Sequence, residues 1–188
     1  MHSFVKEGLY IDNLIKEWLS QLATPLFDHL FIFITCLGSV WAFITLGILV
    51  FFFLAIRKKY LEGIFLNLCL IVTWVTMILL KLFFGRERPP GENLILVTGF
   101  SFPSGHAMVS LAFYGFIAYL VGMNFPGKKG KLLVLVLYLL ILLIGISRVY
   151  LNVHYASDVL AGYLFGGVLL FAFIKGLQVC KRARFNGS

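Results

Sequence analysis

The sequence predicts an all-α integral membrane protein: a bundle of five to six transmembrane helices with an N-terminal amphipathic helix. Three observations carry this. Hydrophobic residues make up 61% of the 188 and charged residues 13%, with a mean hydropathy of +0.97; soluble domains are nearer half apolar and a quarter charged. A chain of this size has too little interior to hide that much apolar surface, so much of it must face lipid. Five stretches (40–56, 61–84, 106–123, 132–150 and 158–175) are long and apolar enough to cross a hydrocarbon core about 30 Å thick. Finally, the bases fall in clusters between these stretches, as in a membrane protein that orients itself by charge. The formal net charge of +8 is therefore read as topology, and no nucleic-acid partner is expected.

The elements follow in order. Residues 9–22 place Leu9, Ile11, Leu14, Ile15, Trp18, Leu19 and Leu22 at amphipathic spacing, the pattern of a helix lying on a bilayer. They form an expected interfacial segment, 1–24, without the basic start and continuous apolar core of a signal peptide. Thr24-Pro25 ends it, with Pro25 suited to the first position of a new helix. Residues 26–37 are apolar but carry Asp28 and His29 and are short for a span. A turn at Gly38-Ser39 gives six spans and a cytoplasmic N-terminus; a kink gives five and an N-terminus outside. The reading favours six, with a short first helix. The transmembrane domain is expected over 25–176, followed by a basic cytoplasmic tail, 177–188. Arg57, Lys58, Lys59, Lys128, Lys129, Lys131, Lys175, Lys181, Arg182 and Arg184 all fall at one end of the spans. The positive-inside rule makes that end cytoplasmic and turns loops 85–101 and 151–157 outward. Cys36, Cys69 and Cys180 are odd in number and scattered, which supports neither a disulfide framework nor a zinc site.

The opposite end gathers charges that a purely structural helix would not carry. Lys81 lies near the end of the second strong span, followed by Arg86, Glu87 and Arg88, with Pro89-Pro90 expected to stop the helix. His106 opens the third span, Arg148 closes the fourth, and His154 and Asp158 open the fifth. Lys81 and Arg88 are seven residues apart, so both can face one spot if the helix persists. Ser104 and Gly105 stand just before a helix start, where free N–H groups favour an anion. His154 and Asp158 are spaced i,i+4, so the carboxylate can accept the imidazole N–H and fix its tautomer. Cations, N–H donors and two histidines together make a phosphate site able to do chemistry, one histidine as nucleophile and the other as acid. Arg86 and Glu87 read as a loop ion pair. Tyr150, Tyr155 and Tyr163 read as interfacial aromatics, and Gly162, Gly166 and Gly167 as close helix contacts.

Lys81-(six residues)-Arg88-Pro89, then Pro103-Ser104-Gly105-His106, then Ser147-Arg148-(five residues)-His154-(three residues)-Asp158 resembles the three-part signature of the type 2 phosphatidic acid phosphatases, across roughly 25–176. The resemblance implies roles. His154 attacks phosphorus and becomes a phosphohistidine, with Asp158 holding it, and His106 protonates the departing alkoxide and then activates water. Lys81, Arg88 and Arg148 clamp the phosphoryl oxygens, Ser104 and the Gly105 N–H complete the cradle, and Ser147 binds phosphate or supports Arg148. It also implies catalysis without metal or other cofactor. The expected partner is a lipid phosphate embedded in a bacterial cell membrane, because no loop is long enough to enclose a soluble ligand. Phosphatidylglycerophosphate is the expected substrate, undecaprenyl diphosphate the alternative. A transporter is disfavoured, since the charges cluster at one face and no repeats are present.

Overall fold

The computed structural model describes residues 8–186. The first seven residues of the expected segment 1–24 and the last two of the expected tail 177–188 lie outside them. The described residues form seven helices and no strand: α1 (Tyr10–Ser20), α2 (Pro25–Cys36), α3 (Val40–Ile56), α4 (Tyr60–Phe84), α5 (Gly105–Asn124), α6 (Lys128–Tyr150) and α7 (Ala156–Asn186).

Helix α1 has two faces. Tyr10, Ile11, Leu14 and Trp18 are exposed. Ile15 and Leu19 pack against Ala107, Val149, Ala156 and Val159, and Asp12, on that same side, is buried. Helix α2 begins at Pro25 as the sequence predicts, with Thr24 Oγ1 accepting from the Phe27 N–H at 3.3 Å.

At Gly38-Ser39 the chain kinks. Ser39 Oγ accepts from the Ala42 N–H at 3.2 Å and so caps α3 within three residues of the end of α2. Gly38 permits the break beside its neighbours, since a Cβ there would come within 2.8 Å of Ile144 Cγ2 and 2.9 Å of His106 Cδ2. Helices α2 and α3 meet at 48°, a bend that suits one broken span. By length and apolar composition α4 to α7 can each cross a membrane and the α2–α3 pair can make a fifth crossing, the lower of the two expected counts. The favoured separate sixth span finds no support among the described residues, since Ser39 caps α3 at a kink rather than in a hairpin turn. Helix α1 consequently docks at the end opposite the basic clusters.

Helix α5 is central, buried along most of its length, and α7 lies directly on it. A Cβ on Gly162 would come within 2.7 Å of the Ser104 carbonyl oxygen, and one on Gly166 would collide with the Met108 carbonyl oxygen. At Gly167 the nearest contact is Leu111 Cδ2 at 3.6 Å, so that glycine is not required by packing. Ile48 and Phe52 of α3, Leu135 and Leu139 of α6, and Leu160, Leu164 and Val168 of α7 are exposed large apolar side chains, as lipid-facing surfaces should be. At the basic end, Lys181 pairs with Glu62 at 2.7 Å and Lys59 is bonded to Asn124. Helix α7 runs on through residue 186 and carries Lys181, Arg182 and Arg184.

Candidate active site

Three connections at the α1 end build the site. Helix α4 stops at Phe84 because Gly85 takes a left-handed conformation, φ 58°, a common helix ending. The helix therefore ends before Pro89-Pro90, and Lys81 and Arg88 do not share it. The loop brings them together instead: both line one cavity of about 390 Å³, with Gly105, His106, Arg148 and His154. Its remaining wall is largely apolar, with Val40, Phe43 and Ile44 from α3 and Leu70, Ile71, Trp74 and Met77 from α4.

The cations are held by neutral groups. Lys81 Nζ donates to the carbonyls of Phe100 at 2.5 Å and Ser101 at 3.2 Å. Arg88 donates to those of Thr98, Gly99 and Val153 at 2.7–3.0 Å. Arg148 Nη1 donates to Thr35 Oγ1 at 2.6 Å. Among the described residues, none of these three forms a salt bridge with a carboxylate. Arg148 Nε and Ser104 Oγ are buried without a hydrogen-bond partner among the described residues. Buried polar atoms left unmatched are costly; Arg148 stands at the cavity's cluster of positive charge, which an anion would complete, whereas Ser104, next in sequence to Gly105, is not itself among the lining residues.

His154 lies in the loop before α7, so its link to Asp158 is not along a helix face. Its Nδ1 is 3.5 Å from Asp158 Oδ2, and Ser101 Oγ stands 3.2 Å from Nδ1 and donates to Oδ2 at 2.5 Å. Ser101 has one hydroxyl proton, and the carboxylate takes it. Nδ1 must then be the donor to Ser101, which leaves the ring's lone pair on Nε2. The Tyr155 N–H also donates to Oδ2 at 3.0 Å, and Ser104 N–H donates to the Asp158 carbonyl at 3.0 Å, tying the start of α5 to α7. Burial pushes the His154 pKa down to about 3, Arg148 and Lys81 adding to the effect and Asp158 opposing it. The imidazole is thus neutral at physiological pH, the form a nucleophile needs.

Several expectations need correction. Arg86 does not pair with Glu87: it is buried, with Nη1 2.6 Å from Asp158 Oδ1 and Nη2 3.4 Å from Asp12 Oδ2, and it lies over the Tyr155 ring at 4.2 Å. The loop after Gly85 turns it inward. Ser147 does not line the cavity; its hydroxyl donates to the Ile144 carbonyl at 2.6 Å, one turn back on α6. Tyr155 is buried beneath Arg86, Tyr150 donates to Asp28 at 2.6 Å, and the half-buried Tyr163 donates to the Ile141 carbonyl at 2.7 Å. Sequence reasoning missed Ser101, Thr35 and Asp12. For Asp12 a signal existed: it shares the packed face of α1 with Ile15 and Leu19, where an uncompensated carboxylate is out of place.

A helical membrane bundle that collects carboxylate-free cations and an imidazole lone pair at the head of an apolar cavity belongs to the class built for phosphoryl chemistry on lipids. The sequence profile of the PAP2 superfamily matches residues 62–182, and the chain belongs to that family. Phosphatidylglycerophosphatase B of Bacillus subtilis (strain 168) is 32% identical over 165 residues, covering 87% of this chain and 77% of the relative. The crystal structure of the transmembrane PAP2 type phosphatidylglycerolphosphate phosphatase from Bacillus subtilis superposes with a TM-score of 0.80 at 32% identity, covering 89% of this chain and 84% of that one. LpxE of Aquifex aeolicus gives 0.72 at 28% identity, covering 89% and 94%. The protein is a multi-pass bacterial membrane protein and a lipid phosphate phosphatase, a hydrolase of a family whose enzymes are metal-independent.

Proposed function

We propose that the protein hydrolyses the phosphomonoester of phosphatidylglycerophosphate, at the outward face of the membrane, through a phosphohistidine on His154. The observation that carries this is one cavity with three carboxylate-free cations at its head and an apolar α3–α4 wall below. Such a cavity suits a phosphate whose lipid remains in the bilayer. The similarity to phosphatidylglycerophosphatase B supports this lipid over others, and the basic clusters at the far end of the bundle support the outward orientation.

The phosphoryl oxygens sit among Lys81, Arg88 and Arg148, with Ser104 Oγ and the Gly105 N–H completing the cradle. His154 Nε2 attacks phosphorus as the bond to the lipid oxygen breaks, and His106 gives that oxygen a proton. His106 then takes a proton from water, whose oxygen attacks phosphorus. The N–P bond breaks, inorganic phosphate leaves and His154 is neutral again. Asp158, with Ser101, holds the Nδ1 proton and balances the charge that the ring acquires on phosphorylation. Phosphoryl transfer asks mainly for positioning and charge stabilisation, which three fixed cations supply.

The test is phosphate release by purified protein in detergent with EDTA present. Phosphatidylglycerophosphate, phosphatidic acid and undecaprenyl diphosphate are compared, beside a His154→Ala control. Release by the wild type, absent from the control, blocked by vanadate and fastest in kcat/KM with phosphatidylglycerophosphate, is the expected result. Near-normal turnover by His154→Ala ends the nucleophile assignment. Preference for undecaprenyl diphosphate reassigns the substrate, and loss of activity in EDTA overturns the metal-free chemistry.

A further inference from the structure

Behind His154, on the side away from the cavity, one guanidinium joins two buried carboxylates. Arg86 Nη1 is 2.6 Å from Asp158 Oδ1 and 2.9 Å from Ser157 Oγ; Nη2 is 3.4 Å from Asp12 Oδ2. Asp12 and Asp158 are 1% and 0% exposed. Asp12 also accepts from the Ser157 N–H at 2.8 Å, the Ser157 hydroxyl at 2.7 Å and the Leu9 N–H at 2.9 Å. Every one of these partners is a donor, so Asp12 sits in a site built for a carboxylate. It reaches this point from α1, which lies outside the region matched by the family profile.

The charge balance gives Asp12 a purpose that anchoring α1 does not require. Arg86 and Asp158 alone would sum to zero. With Asp12 the charges among the described residues of this group, two carboxylates against one guanidinium, sum to minus one behind the imidazole. When His154 bonds to phosphorus its ring becomes cationic, in a buried site already holding three other cations. A net anion on the far side stabilises that ring, and low dielectric makes the effect large. Asp12 also divides the pull of Arg86, leaving Asp158 Oδ2 to Ser101, the Tyr155 N–H and His154.

We propose that Asp12 is a positioning residue for the reaction: by fixing Arg86 it holds Asp158 aligned behind His154 and leaves the group a net anion. This rests on His154 being the nucleophile. The experiment therefore begins with wild type and His154→Ala. If the wild type releases no phosphate, or His154→Ala still turns over, that reading fails and the proposal fails with it.

Once that reading stands, Asp12→Asn, which retains size and an acceptor for the Ser157 N–H, is compared with Arg86→Gln, the double variant and Lys16→Ala. Lys16→Ala removes the hydrogen bond of α1 to the Pro90 carbonyl at 2.9 Å and leaves Asp12 and Arg86 in place. Asp12→Asn should lower kcat roughly tenfold, the low end for a residue supporting a reacting group. KM should stay within about twofold, the melting midpoint in detergent should be unchanged, and radiolabelled phosphoenzyme should form more slowly. With Arg86 gone Asp12 has nothing to act through, so the double variant should turn over no more slowly than Arg86→Gln alone. Lys16→Ala should match wild type. Full turnover by Asp12→Asn, a loss expressed in KM or in melting, or additive losses in the double variant would each overturn the proposal.

Discussion

His154 illustrates how a neighbourhood writes a residue's chemistry. A free imidazole titrates near 6.5, but burial beside Arg148 and Lys81 takes His154 to about 3. Between those values the unfolded chain binds a proton at this position that the folded chain does not, so stability rises with pH across that window. The contribution is fully present above 6.5 and is lost as pH falls toward 3. Thermal melts at pH 7 and pH 5 should show a smaller acid-induced drop for His154→Asn than for wild type; equal drops would contradict the depressed pKa. Arg148 offers a second test. Among the described residues Thr35 Oγ1 is the one hydrogen-bond acceptor of its guanidinium, at 2.6 Å, and Thr35→Val removes that acceptor at nearly constant volume. The expected cost is about 1–3 kcal/mol from a buried charged donor left unmatched, with KM raised several-fold and kcat less affected; an unchanged KM would separate Thr35 from the phosphate site. Lys81, Arg88, His106, Arg148, His154 and Asp158 were legible in the sequence because charge at a span end is expensive and its ordered spacing is specific. Thr35 and Ser101 were not, since a hydroxyl in an apolar run or a loop has many ordinary uses and only tertiary contact distinguishes it; Asp12 was passed over although its place among the apolar residues of α1's packed face was a signal.

Among the elements, the long spans were readable from apolar length alone and the start of α2 from Pro25, whereas the helix stop was expected at Pro89-Pro90 and falls at Gly85 instead. The break at residues 37–39 was not decided by sequence, because Gly-Ser serves a kink and a turn equally. What decides it is Ser39 capping α3 while Gly38 lies against Ile144 and His106. The junction of α5 and α7 is the element on which the site depends most directly, since the Ser104 N–H bonds the Asp158 carbonyl across it. Gly162 sets the spacing there. Its Cβ would lie 2.7 Å from a backbone oxygen and 3.1 Å from both Ala107 Cβ and the Met108 nitrogen, atoms that cannot swing aside. Gly162→Ala should therefore destabilise the bundle by about 1–3 kcal/mol and reduce turnover by displacing Ser104 from Asp158. Gly167→Ala, facing Leu111 Cδ2 at 3.6 Å, should do neither. A detergent melt and a phosphate-release assay on the pair read both outcomes, and equal sensitivity at the two positions would refute backbone-to-backbone packing as the cause.

For the molecule as a whole, five crossings with the bases of 57–59, 128–131 and 175–184 at the end opposite the site make a definite topological prediction. An odd number of spans separates α1 from the end of α7: α1 docks beside Arg86 and Asp158, while Cys180 stands with Lys181 and Arg182 at the far end of α7. Cys180 is exposed, which makes it a native probe of the basic end. In a Cys36→Ser, Cys69→Ser background, a membrane-impermeant maleimide should leave Cys180 unlabelled in intact cells and label it after permeabilisation. Glu92 lies on the exposed connection between α4 and α5, so Glu92→Cys added to a Cys180→Ser version of that background should label without permeabilisation. The reverse pattern would turn the site toward the cytoplasm, against the charge rule. Labelling of both in intact cells would break the five-span topology itself. The result also bears on chemistry, because the face on which phosphate is released fixes the leaflet from which the lipid must be drawn.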